Sequence, residues 1–86
     1  MTTLQLPLRA PFNFTQERAI SLATSLHKYE TAVMIHDGNR TVNAKSLLGI
    51  LSLGYIESAH LEFLIDGPEE GEVRQTLTDY FSALNA

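Results

Sequence analysis

The chain has 86 residues, enough for one domain with a modest core, and 44% of them are hydrophobic. It has no cysteine, which excludes disulfides and thiolate metal sites and fits a reducing compartment. The net charge is −4 and the six Lys and Arg residues are dispersed, so we expect binding to neither nucleic acid nor anionic membranes. Apolar runs are short and Met1–Gln5 has no signal-peptide character, so we expect a single cytoplasmic domain over residues 1–86.

The first part of the chain predicts a strand followed by a helix. Apolar residues alternate over Thr3–Arg9, as in a half-buried strand, and Pro7 and Pro11 favour an edge position or a short strand. From Thr15 to His27 the apolar spacing becomes helical, with Thr15 as the expected N-cap and Asn13 as the alternative. The apolar stripe of this helix consists of Ala19, Leu22, Ala23 and Leu26.

The rest of the chain predicts three strands and two helices. Thr31–Val42 is typical of a β-hairpin with its turn at Asp37–Asn39, and Asn43–Ser52 of a short helix. His60–Asp66 alternates as a strand does, and Glu69–Leu84 forms a helix with acidic residues at its start. The order β-α-β-β-α-β-α predicts an α+β fold, in which helices cover one face of an antiparallel sheet.

A long motif in the middle of the chain is specific to one family. The segment Thr41–Gly54, with the sequence TVNAKSLLGILSLG, resembles the regulatory serine region of HPr, the small phosphocarrier of the bacterial sugar phosphotransferase system. The HPr fold has the same element order: an open-faced β-sandwich with a four-stranded antiparallel sheet and three helices on one face. The resemblance implies that Ser46 is the residue modified by a dedicated kinase/phosphorylase. It also implies a partner-binding surface formed by Leu47, Leu48 and Leu51, with Glu17 on the neighbouring helix.

The start of the first helix departs from the family pattern. There HPr proteins carry Gly-(Ile or Leu)-His-Ala-Arg-Pro-Ala, whose histidine receives the phosphoryl group, whereas this chain has the stretch Asn13–Ala19. Thr15 stands in place of the histidine, Glu17 of the arginine and Arg18 of the proline. An unactivated hydroxyl is a poor acceptor, and the Glu17 carboxylate would repel a phosphoryl dianion. We therefore expect no phosphotransfer through Thr15, no catalytic residue and no enzymatic activity.

The three histidines are interpreted as surface residues rather than phosphoryl acceptors. His27 falls near the end of the first helix, His36 beside the hairpin turn and His60 at the start of a strand. None of them is placed at a helix N-terminus with a neighbouring arginine, and their spacing matches no metal-binding pattern. We expect neither a metal site nor a cofactor.

Ser46 has a structural and a regulatory interpretation. A serine at the start of a short helix is a common N-cap, and the same place suits a phosphate because unpaired amides and the helix dipole favour negative charge. The helix also carries more leucine and isoleucine than one buried stripe can hold, so part of this apolar surface should be exposed and available for binding. We favour the regulatory interpretation, with the cap alone as the alternative.

Three functions follow from these interpretations. The first is a histidine-less regulatory HPr variant that is phosphorylated on Ser46 by HPr kinase/phosphorylase and bound by a transcriptional regulator of carbon catabolite repression. The second is a docking domain that uses the Leu47/Leu48 surface without phosphorylation. The third is a non-transferring decoy that competes with true HPr for its docking sites. The chain is expected to be a monomer or a weak dimer.

Overall fold

The strands and helices follow the predicted order, with one short ribbon added. The structure is a computed structural model and describes residues 1–9 and 11–85. Its elements are β1 (Thr2–Pro7), β2 (Phe12–Asn13), α1 (Gln16–Leu26), β3 (Ala32–Asp37), β4 (Arg40–Asn43), α2 (Leu47–Leu51), β5 (Tyr55–Ile56), β6 (His60–Asp66) and α3 (Glu70–Asn85). The predicted α+β open-faced sandwich is confirmed, and β2 and β5 form a two-stranded ribbon that the sequence pattern did not predict.

The main sheet has four antiparallel strands in the order β1-β6-β3-β4. β1 lies at one edge, as its proline predicted, and its pairing with β6 continues one residue further, where the Leu8 amide donates to the Ala59 carbonyl at 2.7 Å. Because hydrogen-bonded residues alternate along an antiparallel pair, the backbone groups of Thr3, Gln5 and Pro7 point away from β6. They form the free edge of the sheet.

The end of α3 covers part of this free edge. The side-chain amide of Asn85 donates to the Pro7 carbonyl at 2.9 Å and accepts from the Arg9 amide at 3.2 Å. One side chain therefore pairs with two outward-pointing backbone groups, as a neighbouring strand would. Pro7 itself has no N–H to offer, so this end of the edge is closed.

The core lies between the sheet and the helices. Alternate residues of β1, β3 and β6 point inward, α1 buries its predicted apolar stripe, and α3 buries one apolar stripe of its own. Phe81 of α3 is at the centre of an aromatic group: its ring centroid is 5.5 Å from that of Phe63 and 6.3 and 6.4 Å from those of Phe12 and Phe14. This group joins the sheet, α3 and the β2–β5 ribbon, and it fixes the ribbon beside the start of α1.

The second helix is shorter than predicted. α2 begins at Leu47 instead of Asn43, because Asn43 is the last residue of β4 and its side-chain oxygen accepts from the Lys45 amide at 2.9 Å. The Ser46 amide donates to the Asn43 carbonyl at 3.0 Å. An asparagine that bonds to its own backbone two residues on favours a turn over a helix, so the chain turns before α2 starts.

The start of α3 is tied to the start of β3. The Glu69 carboxylate accepts from the backbone amides of Glu30 and Thr31, at 2.7 and 3.2 Å, while the Glu69 amide donates to the Thr31 hydroxyl at 2.9 Å. Thr31 is fully buried, and a side chain on Gly67 would come within 2.6 Å of its Cα atom. Glu69 therefore joins two elements that are distant in sequence. No helix among the described residues has the length and apolarity needed to cross a membrane.

Candidate functional site

One end of the molecule combines the start of α1, the β2–β5 ribbon and α2. Among the large hydrophobic side chains of the described residues, three at this end are mostly or partly exposed: Ile20 on α1 (45%), Leu48 on α2 (79%) and Tyr55 on β5 (70%). Such a group of exposed apolar side chains on neighbouring elements is typical of a protein-binding surface. Tyr55 was not singled out by the sequence analysis, because its strand is too short to show a period.

Thr15 caps α1, as predicted, and Asn13, the alternative cap, belongs to β2. The Thr15 backbone is extended, and its hydroxyl oxygen accepts from the Arg18 amide at 3.2 Å. His27 is at the opposite end of the helix, twelve residues further on and therefore about 18 Å away. The Thr15 hydroxyl is thus engaged in capping, and the imidazole of His27 is too far away to act as its base.

Arg18 turns back from α1 towards the ribbon. Its guanidinium donates to the Asn13 carbonyl at 3.0 Å and lies 5.0 Å from the centroid of the Phe12 ring. The Arg18 carbonyl accepts from the Tyr80 hydroxyl at 2.8 Å, and burial raises the pKa of Tyr80, which keeps that hydroxyl protonated as a donor. Arg18 therefore braces the ribbon against α1. Glu17, the other departure from the family pattern, is exposed in the first turn of α1.

Ser46 is the N-cap of α2, which agrees with the structural interpretation of this serine. Its backbone is extended and its hydroxyl oxygen accepts from the Gly49 amide at 3.1 Å. Gly49 leaves room for this hydroxyl, because a Cβ atom there would lie 3.3 Å from both Cβ and Oγ of Ser46. The serine is half-buried, and α2 has no acidic residue in its first turn. The site therefore differs from the start of α1, where Glu17 carries a negative charge.

Basic side chains hold the segments on either side of Ser46. Lys45 extends its ammonium group to the Tyr29 carbonyl, and the Lys45 carbonyl lies 3.1 Å from Nε2 of His27. At the other end of α2 the Arg40 guanidinium donates to the Ser52 carbonyl. These contacts connect α2 to the end of α1 and to the β3–β4 hairpin. No sequence pattern indicates these contacts, since the partners are far apart along the chain.

The leucines of α2 differ in their exposure. Leu48 points to solvent, whereas Leu47 and Leu51 are half-buried and pack against the core, and Ile50 is fully buried. The expected mixture of buried and exposed apolar residues is confirmed. Of the three leucines predicted to bind partners, Leu48 offers the largest free surface, and the other two offer their edges.

The remaining histidines lie on the open face of the sheet. His60 is exposed at the start of β6, and His36 is half-buried on β3, with Nδ1 2.9 Å from the Thr41 hydroxyl. Within residues 1–9 and 11–85, potential ligand side chains do not converge in groups of three or more that could hold a metal ion.

Comparison with known proteins relates this arrangement to one family. A family model described as "PTS HPr component phosphorylation site" matches residues 14–83. Among solved structures, HPr-C-His from Thermoanaerobacter tengcongensis is similar with a TM-score of 0.83 and 23% identity, over 96% of this chain and 93% of that one. The phosphocarrier protein HPr from Bacillus anthracis str. Ames gives a TM-score of 0.80 and 20% identity, over 93% and 95% of the two chains.

A third similar structure is that of Crh, the catabolite repression protein of Bacillus subtilis, described as a dimer with a swapped domain. It gives a TM-score of 0.74 and 20% identity, over 96% of this chain and 95% of that one. These structural likenesses establish the fold, and the family model spans most of the sequence, including both helix starts described above. The chain therefore belongs to the HPr family of the sugar phosphotransferase system.

Proposed function

We propose that this protein is a regulatory HPr variant that is phosphorylated on Ser46 and acts by binding other proteins in carbon catabolite regulation. It has no catalytic activity of its own and does not carry a phosphoryl group at position 15. The observation that carries the proposal is the difference between the two helix starts. Thr15 is committed to capping beside an exposed carboxylate, and Ser46 caps a helix whose first turn has no acidic residue.

Position 15 is unsuited to phosphoryl transfer for electrostatic and chemical reasons. A phosphoryl group on Thr15 would share the first turn of α1 with the Glu17 carboxylate. Two like unit charges about 4 Å apart repel by about 4 kcal/mol at an effective dielectric constant near 20, before salt screening. A phosphothreonine is also a stable ester, so the group would not pass on reversibly. Arg18 does not offset the repulsion readily, because its guanidinium is bonded to the Asn13 carbonyl.

Position 46 is suited to a stable phosphate. The amides of Leu47 and Leu48 belong to the first turn of α2, where helical hydrogen bonds do not use them. A phosphate on Ser46 would replace the hydroxyl as cap and accept from these amides, with the helix dipole in its favour. The modification would therefore add charge without unfolding the helix.

The phosphate would stand beside the exposed apolar surface. Leu48 lies two residues after Ser46 and is 79% exposed, and the half-buried Leu47 and Leu51 lie beside it. Glu17 and Ile20 lie exposed on α1, which packs against α2. A partner that docks on this surface can contact both the leucine and the phosphate, as the proposed transcriptional regulator of catabolite repression would. Hydrophobic contact then gives affinity and the phosphate decides when binding occurs.

The test is phosphorylation in vitro. The purified protein is incubated with HPr kinase/phosphorylase and ATP, and its intact mass is measured, with a true HPr as a positive control in the same tube. One added phosphate is expected, and it should be absent from Ser46→Asn, which keeps a capping side chain but has no hydroxyl. Ser52→Ala, at the other end of α2, should still be modified. An unchanged mass beside a modified HPr would refute the proposal.

A second function is favoured by the exposure of Leu48 and Tyr55, which is already present without any phosphate. On this alternative the chain is a docking domain that does not depend on modification. Its partner would bind the wild type and the Ser46→Asn variant equally well, and this binding would be lost in the Leu48→Glu variant. The same binding measurement, made with and without kinase treatment, distinguishes the two functions.

A further inference from the structure

We propose that His27 is the proton-binding partner of the charge at position 46, so that phosphorylation of Ser46 and protonation of His27 favour each other. This inference rests on the proposed function, because it names a regulation of the same site. It adds a residue that the family motif does not include. His27 lies at the C-terminal end of α1 and contacts the carbonyl of Lys45, the residue directly before Ser46.

The geometry joins the imidazole to the backbone of the phosphorylation site. His27 is the C-cap of α1, its amide donates to the Thr24 carbonyl, and its Nε2 lies 3.1 Å from the Lys45 carbonyl oxygen. A carbonyl can only accept, so Nε2 carries the hydrogen and Nδ1 is the nitrogen that gains or loses the second proton. Standard bond lengths then put Ser46 Oγ at most about 8 Å from Nε2.

Within the part of the chain that the structure describes, no acidic side chain forms an ion pair with His27 in the unmodified protein. Lys28 follows it on the chain, and Lys45 faces it from the loop before α2. Both lysines are directed towards Tyr29: Lys45 donates to its carbonyl, and the Lys28 ammonium lies 5.2 Å from its ring centroid. α2 contributes no charged residue, and the nearest acid along the chain is Glu30, whose backbone amide binds Glu69.

A phosphate on Ser46 changes this balance. It would bring a charge of about −1.5 to −2 to within about a Debye length of the imidazole. Among the described residues beside Ser46, His27 has the type of side chain whose charge changes near neutral pH. The end of the α1 dipole also favours a cation at this position. The phosphate and the proton on His27 therefore stabilise each other.

The direction of the pH dependence follows from reciprocal coupling. If an anion at position 46 makes His27 easier to protonate, then a protonated His27 stabilises the anionic form by the same amount. The added stability is present while the imidazole carries its second proton and is lost as the pH rises and that proton leaves. An anion of fixed charge at position 46, such as Asp, is thus stabilised more at about pH 6 than at about pH 8. A phosphate itself gains a second proton at about pH 6, so its share of this coupling falls again below that value.

The test does not need the kinase. Ser46→Asp and Ser46→Asn both keep a capping side chain and have nearly the same shape, so they differ at this site in charge alone. The titration of each histidine ring is followed by NMR in both variants. We expect the His27 midpoint to be about 0.3–0.5 pH unit higher in the Asp variant, as expected for one charge about 8 Å away in a largely aqueous setting. The His36 and His60 midpoints should coincide in the two variants.

A second pair of variants separates the charge from the contact. His27→Gln keeps an N–H that can donate to the Lys45 carbonyl but cannot take up a proton. In the His27→Gln background, the stability difference between Ser46→Asp and Ser46→Asn should no longer depend on pH between about 5 and 8. Equal His27 midpoints in the first pair, or equal movement of all three histidines, would overturn the inference. Failure of the kinase to modify Ser46 would instead count against the proposed function alone.

Discussion

Two residues of similar chemistry, Thr15 and Ser46, perform the same structural task at two helix starts. Each hydroxyl accepts from the amide three residues further on, at 3.2 Å for Thr15 and 3.1 Å for Ser46. What distinguishes them is the charge beside them, since α1 has Glu17 in its first turn and α2 has no acidic residue there. The proposal that Ser46 and not Thr15 accepts a phosphate therefore rests on the neighbouring charges and not on the hydroxyls themselves.

This comparison predicts the result of restoring the family residues. Thr15→His alone should accept little phosphate from enzyme I, because the Glu17 carboxylate remains in the same turn and repels the transferred group. Thr15→His with Glu17→Arg should accept it at least about tenfold faster, which corresponds to 1.4 kcal/mol in the barrier. The rate is measured as acid-labile phosphate after incubation with enzyme I and phosphoenolpyruvate. Thr15→His with Glu17→Gln is the intermediate control, and equal rates in all three variants would contradict the argument.

At the scale of elements, the helices are fixed by contacts that differ in how far they reach along the chain. α1 and α2 are capped by residues that directly precede them, whereas the start of α3 is attached to β3 through Glu69. The amides of Glu30 and Thr31 receive a charged acceptor from a helix that is remote in sequence. Removing that acceptor leaves two donors without their partner, one of them in a fully buried residue.

Glu69→Ala is therefore expected to lower the free energy of unfolding by about 2 kcal/mol, as for other lost hydrogen bonds to charged groups. Glu72→Ala is the matched control, because Glu72 is exposed in the same helical turn and should change stability by less than about 0.5 kcal/mol. Both values are obtained from urea unfolding followed by circular dichroism. Similar losses in the two variants would mean that the dipole of α3, and not its link to β3, determines the effect.

The elements show how much of the fold can be predicted from sequence. α1 and β6 follow from periodicity, because each is long enough to present one apolar face several times. β2 and β5 have two residues each, which is too short to show a period, so no sequence pattern indicates the exposure of Tyr55. The sequence pattern predicts the start of α2 four residues too early, because Asn43 ends β4 and does not belong to the helix.

The candidate site, too, can be predicted from the sequence only where its contacts are local. Capping can be predicted for Thr15, and is one interpretation of Ser46, because a cap and the amide it binds are only three residues apart. The contact of His27 with the Lys45 carbonyl depends on how α1 and α2 pack, and no local pattern carries that information. The contact that Arg18 makes could not be predicted from its position in the helix either, because its long side chain folds back to the Asn13 carbonyl.

At the scale of the whole molecule, the fold brings together basic residues that are far apart in the sequence. Arg18, Arg40 and Lys45 are dispersed along the chain, yet all three lie beside α2 or the ribbon, and each donates to a backbone carbonyl. They brace loops around the exposed apolar surface. The ion pairs of the described residues are at the other end, where the amino group of Met1 lies 3.7 Å from Asp66 and 3.8 Å from Glu70.

The free edge of the sheet gives a prediction at this scale. Asn85→Ala removes the partner of the Arg9 amide and of the Pro7 carbonyl, so hydrogen exchange at Arg9 should become at least about tenfold faster, for a loss of about 1.4 kcal/mol in local opening. The Leu8 amide, which donates to Ala59 inside the sheet, should keep its protection. Ser82→Ala, exposed on the same helix, is the control variant. An unchanged exchange rate at Arg9 would show that Asn85 does not protect this edge.

The pairing of β1 with β6 has a consequence for folding during synthesis. A ribosome translates residues 2–7 long before residues 60–66, and among the described strands β1 pairs with β6 alone. Throughout that interval the three leucines of the first segment, Leu4, Leu6 and Leu8, have no sheet to join and remain accessible to chaperones. The sheet cannot assemble in the order in which it is synthesised, so β3 and β4 are available as a hairpin before the earliest strand can dock.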